Sequence, residues 1–85
     1  MPDITIYITE FCGSCDRAKA ILKNKDVKFA VVDVTYDADM RDEMAIKAGG
    51  NRKVPQIFVG DTHVGGYWEL QKLEAQGKLD SLLVG

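Results

Sequence analysis

Residues 3–9 alternate strictly, with Ile4, Ile6 and Ile8 on one face and Thr5, Tyr7 and Thr9 on the other. A period of two in β-branched and aromatic residues predicts a strand. From about Ser14 to Lys25 the period lengthens. Cys15, Ala18, Ile21 and Leu22 recur at helical spacing, with Asp16 in the first turn and lysines near the end, as the helix macrodipole favours. Residues 27–34 begin alternating and end apolar, the pattern of a buried parallel strand. Asp37 to about Ala48 carries acids early, aligns Met40, Met44, Ala45 and Ala48, and stops at Gly49-Gly50, which predicts a second helix. The two methionines read as core packing. Gln56 to Val59 and Thr62 to Val64 are short strands joined by Gly60-Asp61, a hairpin turn in the reverse of the favoured Asp-Gly order. A third helix runs from about Trp68 to Gln76, ends at Gly77, and is followed by a helical turn from Leu79 to Leu83.

The order β-α-β-α-β-β-α predicts an α/β fold, a small sheet covered by helices, with a right-handed first crossover. Eighty-five residues and 9.4 kDa leave space for one domain, residues 1–85, and the 46% hydrophobic content excludes a disordered chain. A net charge of −2 with no long like-charge block argues against nucleic acid as a partner. No apolar run approaches the roughly 18 residues of a membrane span, and Met1-Pro2-Asp3 lacks the basic start of a signal peptide. The chain reads as a soluble, cytosolic protein.

The cysteine count changes the picture most. A domain this small often relies on several disulfides, but here there are two cysteines, Cys12 and Cys15, and a bridge between them closes a loop too short to staple much. They suggest chemistry. A thiol attacks a disulfide only as its thiolate, and a free cysteine near pKa ~8.5 is mostly protonated at neutral pH. Cys12 falls where a strand hands over to a helix, so unpaired N–H groups and the positive end of the macrodipole point at its sulfur and favour the thiolate. Cys15, one turn in and on the apolar face, is the buried resolving thiol that attacks a mixed disulfide held on Cys12. Gly13 gives the loop freedom, and the Ser14 hydroxyl is placed to donate to the thiolate. A zinc site would need about four ligands, and only His63 and scattered carboxylates remain. His63 otherwise reads as an ordinary exposed residue with no base partner.

With these residues in view, the chain resembles a glutaredoxin, a small member of the thioredoxin superfamily. Besides Cys12-Gly13-Ser14-Cys15, the resemblance rests on Lys53-Val54-Pro55-Gln56-Ile57-Phe58, similar to the family's Thr-Val-Pro segment. It rests also on Gly65-Gly66-Tyr67-Trp68-Glu69-Leu70, similar to its Gly-Gly-x-x-Asp-Leu segment. It implies a thioredoxin-like fold with a four-stranded mixed sheet flanked by helices, and glutathione as cosubstrate. It also implies a cis Pro55, although only about 5% of X-Pro bonds are cis in folded proteins. A cis Pro55 leaves the Val54 N–H and C=O to pair with an extended peptide such as glutathione. Gly65-Gly66 permits close backbone approach, and the helix start at Trp68 and Glu69 offers N–H groups to the γ-glutamyl carboxylate. Glu69 stands where the family's aspartate receives the α-amino group, and Arg52 and Lys53 are placed for the glycyl carboxylate.

The sequence also departs from the family. Gly13 and Ser14 replace the frequent proline and aromatic between the cysteines, Thr9 stands where a lysine is common, and Trp68 is bulky for its position. Trp68 is either a surface aromatic beside the groove or a core anchor. The resemblance implies a glutathione-dependent thiol-disulfide oxidoreductase acting on glutathionylated or disulfide-containing proteins as a monomer. Two alternatives stand beside it. One is a [2Fe-2S] cluster held between two protomers by Cys12 of each with two glutathiones. The other is an electron donor served by thioredoxin reductase.

Overall fold

The computed structural model describes residues 3–84. Its strands are β1 (Ile4–Ile8), β2 (Ala30–Asp33), β3 (Gln56–Val59) and β4 (Thr62–Gly65). Its helices are α1 (Gly13–Asn24), α2 (Ala38–Lys47), α3 (Tyr67–Ala75) and α4 (Leu79–Val84). The strands form one mixed sheet in the order β2-β1-β3-β4, with β1 parallel to β2 and antiparallel to β3, and β3 antiparallel to β4.

The alternation in β1 sorts its side chains into two cores. Ile4, Ile6 and Ile8 face one side, where Ile57 and Val59 of β3 join Cys15, Ala18 and Leu22 of α1, Leu70 of α3, and Leu79 and Leu83 of α4. Tyr7 faces the other side and packs with Phe58, Val34, Met44 and Ala48, beneath α2 alone. Met44 is fully buried there, and Met40 packs against the same cluster from a half-buried position.

The helices begin and end close to where the periodicity places them. Asp37 caps α2 through its carboxylate, which accepts from the Met40 N–H at 3.0 Å. At the far end of α1 the Lys25 ammonium bridges Glu74 of α3 at 2.6 Å and Asp80 of α4 at 2.9 Å. Bonding to both carboxylates, Glu74 first, raises its pKa above the ordinary lysine value.

The second strand differs from its expectation. Only Ala30–Asp33 pair with β1, because the ladder begins opposite Thr5 and reaches Ile8. β2 is an edge strand with one neighbour, so it is not the doubly covered strand its apolar run suggests: Val31 is 47% exposed. Val27 and Phe29 lie ahead of the ladder and pack against the larger core. The hairpin at Gly60-Asp61 forms as expected, and β4 carries a bulge, since Ile57 pairs with Gly65 while Phe58 pairs with His63.

Candidate active site

Cys12 is the N-cap of α1, with extended backbone angles (φ −116°, ψ 104°). Its sulfur accepts a hydrogen bond from the Cys15 N–H at 3.1 Å and lies 3.4 Å from the Ser14 hydroxyl. A thiol side chain thus takes the place that a serine or aspartate usually takes in a cap. The two cysteines are joined as a disulfide with their Cα atoms 5.2 Å apart. They are not equivalent: Cys12 is half-buried, whereas Cys15 is 1% exposed and belongs to the larger core. At Gly13, an added Cβ would meet nothing within 4 Å, so the space beside the pair is open.

The loop entering the pair is held in a way the sequence does not announce. Phe11 is fully exposed and takes a left-handed backbone (φ 55°), uncommon for a bulky residue. Just before it, the Glu10 N–H donates to the Thr35 hydroxyl oxygen at 2.8 Å, and that hydroxyl donates to Asp33 at 2.6 Å. The Tyr36 hydroxyl donates to the Glu10 carboxylate at 3.4 Å. Bonding from the Thr35 hydroxyl, and then from the Thr35 N–H, holds the Asp33 carboxyl below the usual aspartate range.

Beside the cysteines lies an open cleft of about 310 Å³. Ser14, Lys53, Val54, Pro55, Gly66, Trp68 and Glu69, all singled out in the sequence, line it together. The Val54–Pro55 peptide is cis. No turn, loop or side-chain hydrogen bond among the described residues engages the Val54 N–H or C=O. Trp68 is a surface aromatic, 72% exposed at the start of α3.

Opposite Pro55, the Gly65-Gly66 pair fits its surroundings closely. A Cβ on Gly65, where φ is +116°, would fall 2.8 Å from the Glu69 carboxylate, and one on Gly66 would sit 3.4 Å from the Pro55 carbonyl. Glu69 Oε1 accepts the Gly66 N–H at 2.7 Å, so one carboxylate oxygen already caps α3.

Of the side chains expected to contact glutathione, that of Arg52 does not line the cleft: its guanidinium pairs with Asp42 at 2.6 Å. Asn51, Gln56 and Tyr67 line the cleft without having been singled out. Gln56 left a signal, being a polar residue heading an apolar strand. It is 1% exposed, with its amide donating to the Lys53 carbonyl at 2.9 Å and its Oε1 2.7 Å from His63 Nε2. His63, expected to be an ordinary exposed residue, therefore has an amide partner, and its ring stacks on Phe58 at 4.9 Å. Among the described residues, no three His, Cys, Asp or Glu side chains gather as a metal would require.

A cysteine pair at a helix N-terminus, on a mixed sheet of thioredoxin-like order, defines a protein built for thiol-disulfide exchange. Comparison with known proteins narrows the class. The glutaredoxin family model matches residues 4–64. A glutaredoxin of Pseudomonas aeruginosa is 47% identical over 83 residues, covering 98% of this chain and 98% of that protein. The solution structure of glutaredoxin from Brucella melitensis superposes with a TM-score of 0.85 at 46% identity, covering 98% of this chain and 89% of that one. A buckwheat glutaredoxin-glutathione complex shares the fold, with a TM-score of 0.87 at 22% identity over 98% of this chain and 77% of that one. The chain belongs to the glutaredoxin family, and with its cysteine pair that membership implies thiol-disulfide oxidoreductase activity.

Proposed function

We propose that this chain is a glutathione-dependent oxidoreductase that reduces glutathione mixed disulfides and protein disulfides, with Cys12 as nucleophile and Cys15 as resolving thiol. The observation that carries the reading is the placement of Cys12 at the start of α1, linked through Ser14 to a cleft walled by Lys53, Val54 and Gly66.

The Cys12 thiolate attacks the glutathione sulfur of a mixed disulfide. The old S–S bond breaks, the substrate leaves as its thiolate and takes a proton, and glutathione remains bonded to Cys12. A second glutathione thiolate then attacks that glutathione sulfur, releasing glutathione disulfide and restoring the Cys12 thiolate. Alternatively, the Cys15 thiolate attacks the Cys12 sulfur, expelling glutathione and forming the intramolecular disulfide. The Cys15 N–H and the Ser14 hydroxyl stabilise negative charge on the Cys12 sulfur in the reduced state.

Glutathione is an extended peptide with a carboxylate at each end, and the cleft has matching groups. The Val54 N–H and C=O pair with its backbone. With Arg52 held by Asp42, Lys53 meets the glycyl carboxylate. Gly66 lets the ligand approach closely, the N–H groups at Trp68 and Glu69 receive the γ-glutamyl carboxylate, and the second oxygen of Glu69 receives the α-amino group. The glutathione complex of the buckwheat protein, which shares the fold, supports the choice of ligand. In this reading residues 1–85 act as one domain in the cytoplasm, where glutathione keeps thiols reduced.

Turnover of a glutathionylated substrate by two variants tests the assignment. Cys12→Ser should abolish it, whereas Cys15→Ser should retain much of it; complete loss in Cys15→Ser would eliminate the route that needs only one thiol.

A further inference from the structure

Arg41 lies on α2 and does not line the cleft, yet it grips the segment that forms one cleft wall. Its Nε and Nη2 both donate to the Arg52 carbonyl, at 3.2 and 2.9 Å. That segment, residues 51–55, has no helix or strand of its own. It follows Gly49 and Gly50, whose φ values of +71° and +99° mark a stretch of backbone with wide conformational freedom. Side chains supply the order that a sheet ladder would otherwise give. Arg41 holds the Arg52 carbonyl, Asn51 Oδ1 accepts the Lys53 N–H at 2.9 Å, and Gln56 takes the Lys53 carbonyl. Three successive polar groups of the backbone are thereby fixed, and the next residue is Val54.

We infer that Arg41 is a positioning residue for substrate binding: its two-pronged hold on the Arg52 carbonyl presets Lys53 and Val54 to receive glutathione. The inference rests on the proposed glutathione reading of the cleft. A wall already in its bound shape binds more tightly because ordering the segment no longer opposes binding. Arginine suits the task because its planar fork places two donors on one acceptor, which a lysine ammonium on a flexible stem does not reproduce. Cys12 caps α1, and its sulfur is bonded by the Cys15 N–H and lies against the Ser14 hydroxyl, with no hydrogen bond to the Arg52 segment, so loss of the hold on Arg52 should leave the reactivity of the sulfur unchanged.

The test is steady-state turnover of the mixed disulfide of glutathione and 2-mercaptoethanol by the whole chain, with glutathione and its reductase. Arg41→Ala should raise KM about tenfold with kcat within about twofold, and Arg41→Lys should recover part of the loss. The rate of Cys12 alkylation should match that of the unaltered protein in both variants. A simple loss of folded protein would lower kcat and leave KM unchanged, and that result would overturn the inference, as would an unchanged KM with unchanged kcat. If Arg41→Ala does not fold, Arg41→Gln takes its place with the same expected rise in KM and the same overturning results. Failure of the unaltered protein to turn over this substrate would defeat the glutathione reading itself, and the inference with it. A KM insensitive to Arg41 in a working enzyme would defeat the inference alone.

Discussion

The two faces of the sheet are built differently, and the site draws on both. One face is covered by α1, α3 and α4 and buries a continuous core that includes Cys15. The other carries α2 alone, over a smaller cluster around Tyr7, Phe58 and Met44. The redox pair is seated on the thick face by packing, with Cys15 fixed among Ala18, Leu22 and the β1 isoleucines. The cleft wall at residues 51–54 is tied from the thin face by hydrogen bonds from Arg41 and Gln56. Val54 packs against both clusters and sits at the seam. The chemistry is held by burial and the recognition surface by polar tethers, so the two should respond to different kinds of damage.

Core truncation gives the largest expected effects. Leu70→Ala on the thick face should cost about 3–5 kcal/mol in urea unfolding, and Met44→Ala on the thin face about 2–3 kcal/mol. Both side chains are fully buried, so equal losses would erase the distinction between the faces.

The loop before Cys12 offers a test in pH. Asp33 has its folded pKa held below the ordinary value of 3.8 by Thr35, so the unfolded chain binds protons first. The stabilisation is present above pH 3.8 and is lost as pH falls through the lower folded value. Thr35→Val, which removes the hydroxyl bond, should make stability fall less steeply than in the unaltered protein below that pH, as measured by urea midpoints. Identical slopes would detach Asp33 from this loop.

The smallest expected effect is a gain. Gly13→Ala should raise the thermal midpoint, adding roughly 0.5 kcal/mol, because a Cβ there meets nothing within 4 Å and alanine favours the helix. A loss would show that the open space beside the cysteines is not empty in solution.

What the sequence revealed follows the range of each interaction. Periodicity is local, so β1 and the helices were legible, as was the cysteine pair, whose members are three residues apart. Edge position is not local. The apolar run in residues 27–34 looks the same whether a strand has one neighbour or two, and β2 has one. The tethers shaping the site join residues far apart in the chain: Glu10 to Thr35 across 25 positions, Arg41 to Arg52 across 11 and Gln56 to His63 across 7. No pattern of residue types announces them. Nor does anything in a phenylalanine foretell the left-handed backbone of Phe11, which depends on how the loop is tied. The cleft residues were found through family resemblance, and Arg52 shows its reach: the position matches, but the neighbouring Asp42 takes the side chain.

The most direct test of the account is turnover of one disulfide substrate under two reducing systems, glutathione with glutathione reductase and thioredoxin reductase with its nicotinamide cofactor. Turnover with glutathione should exceed the other by at least about tenfold, the scale at which binding of the peptide in the cleft tells. Efficient turnover with thioredoxin reductase and none with glutathione would contradict it.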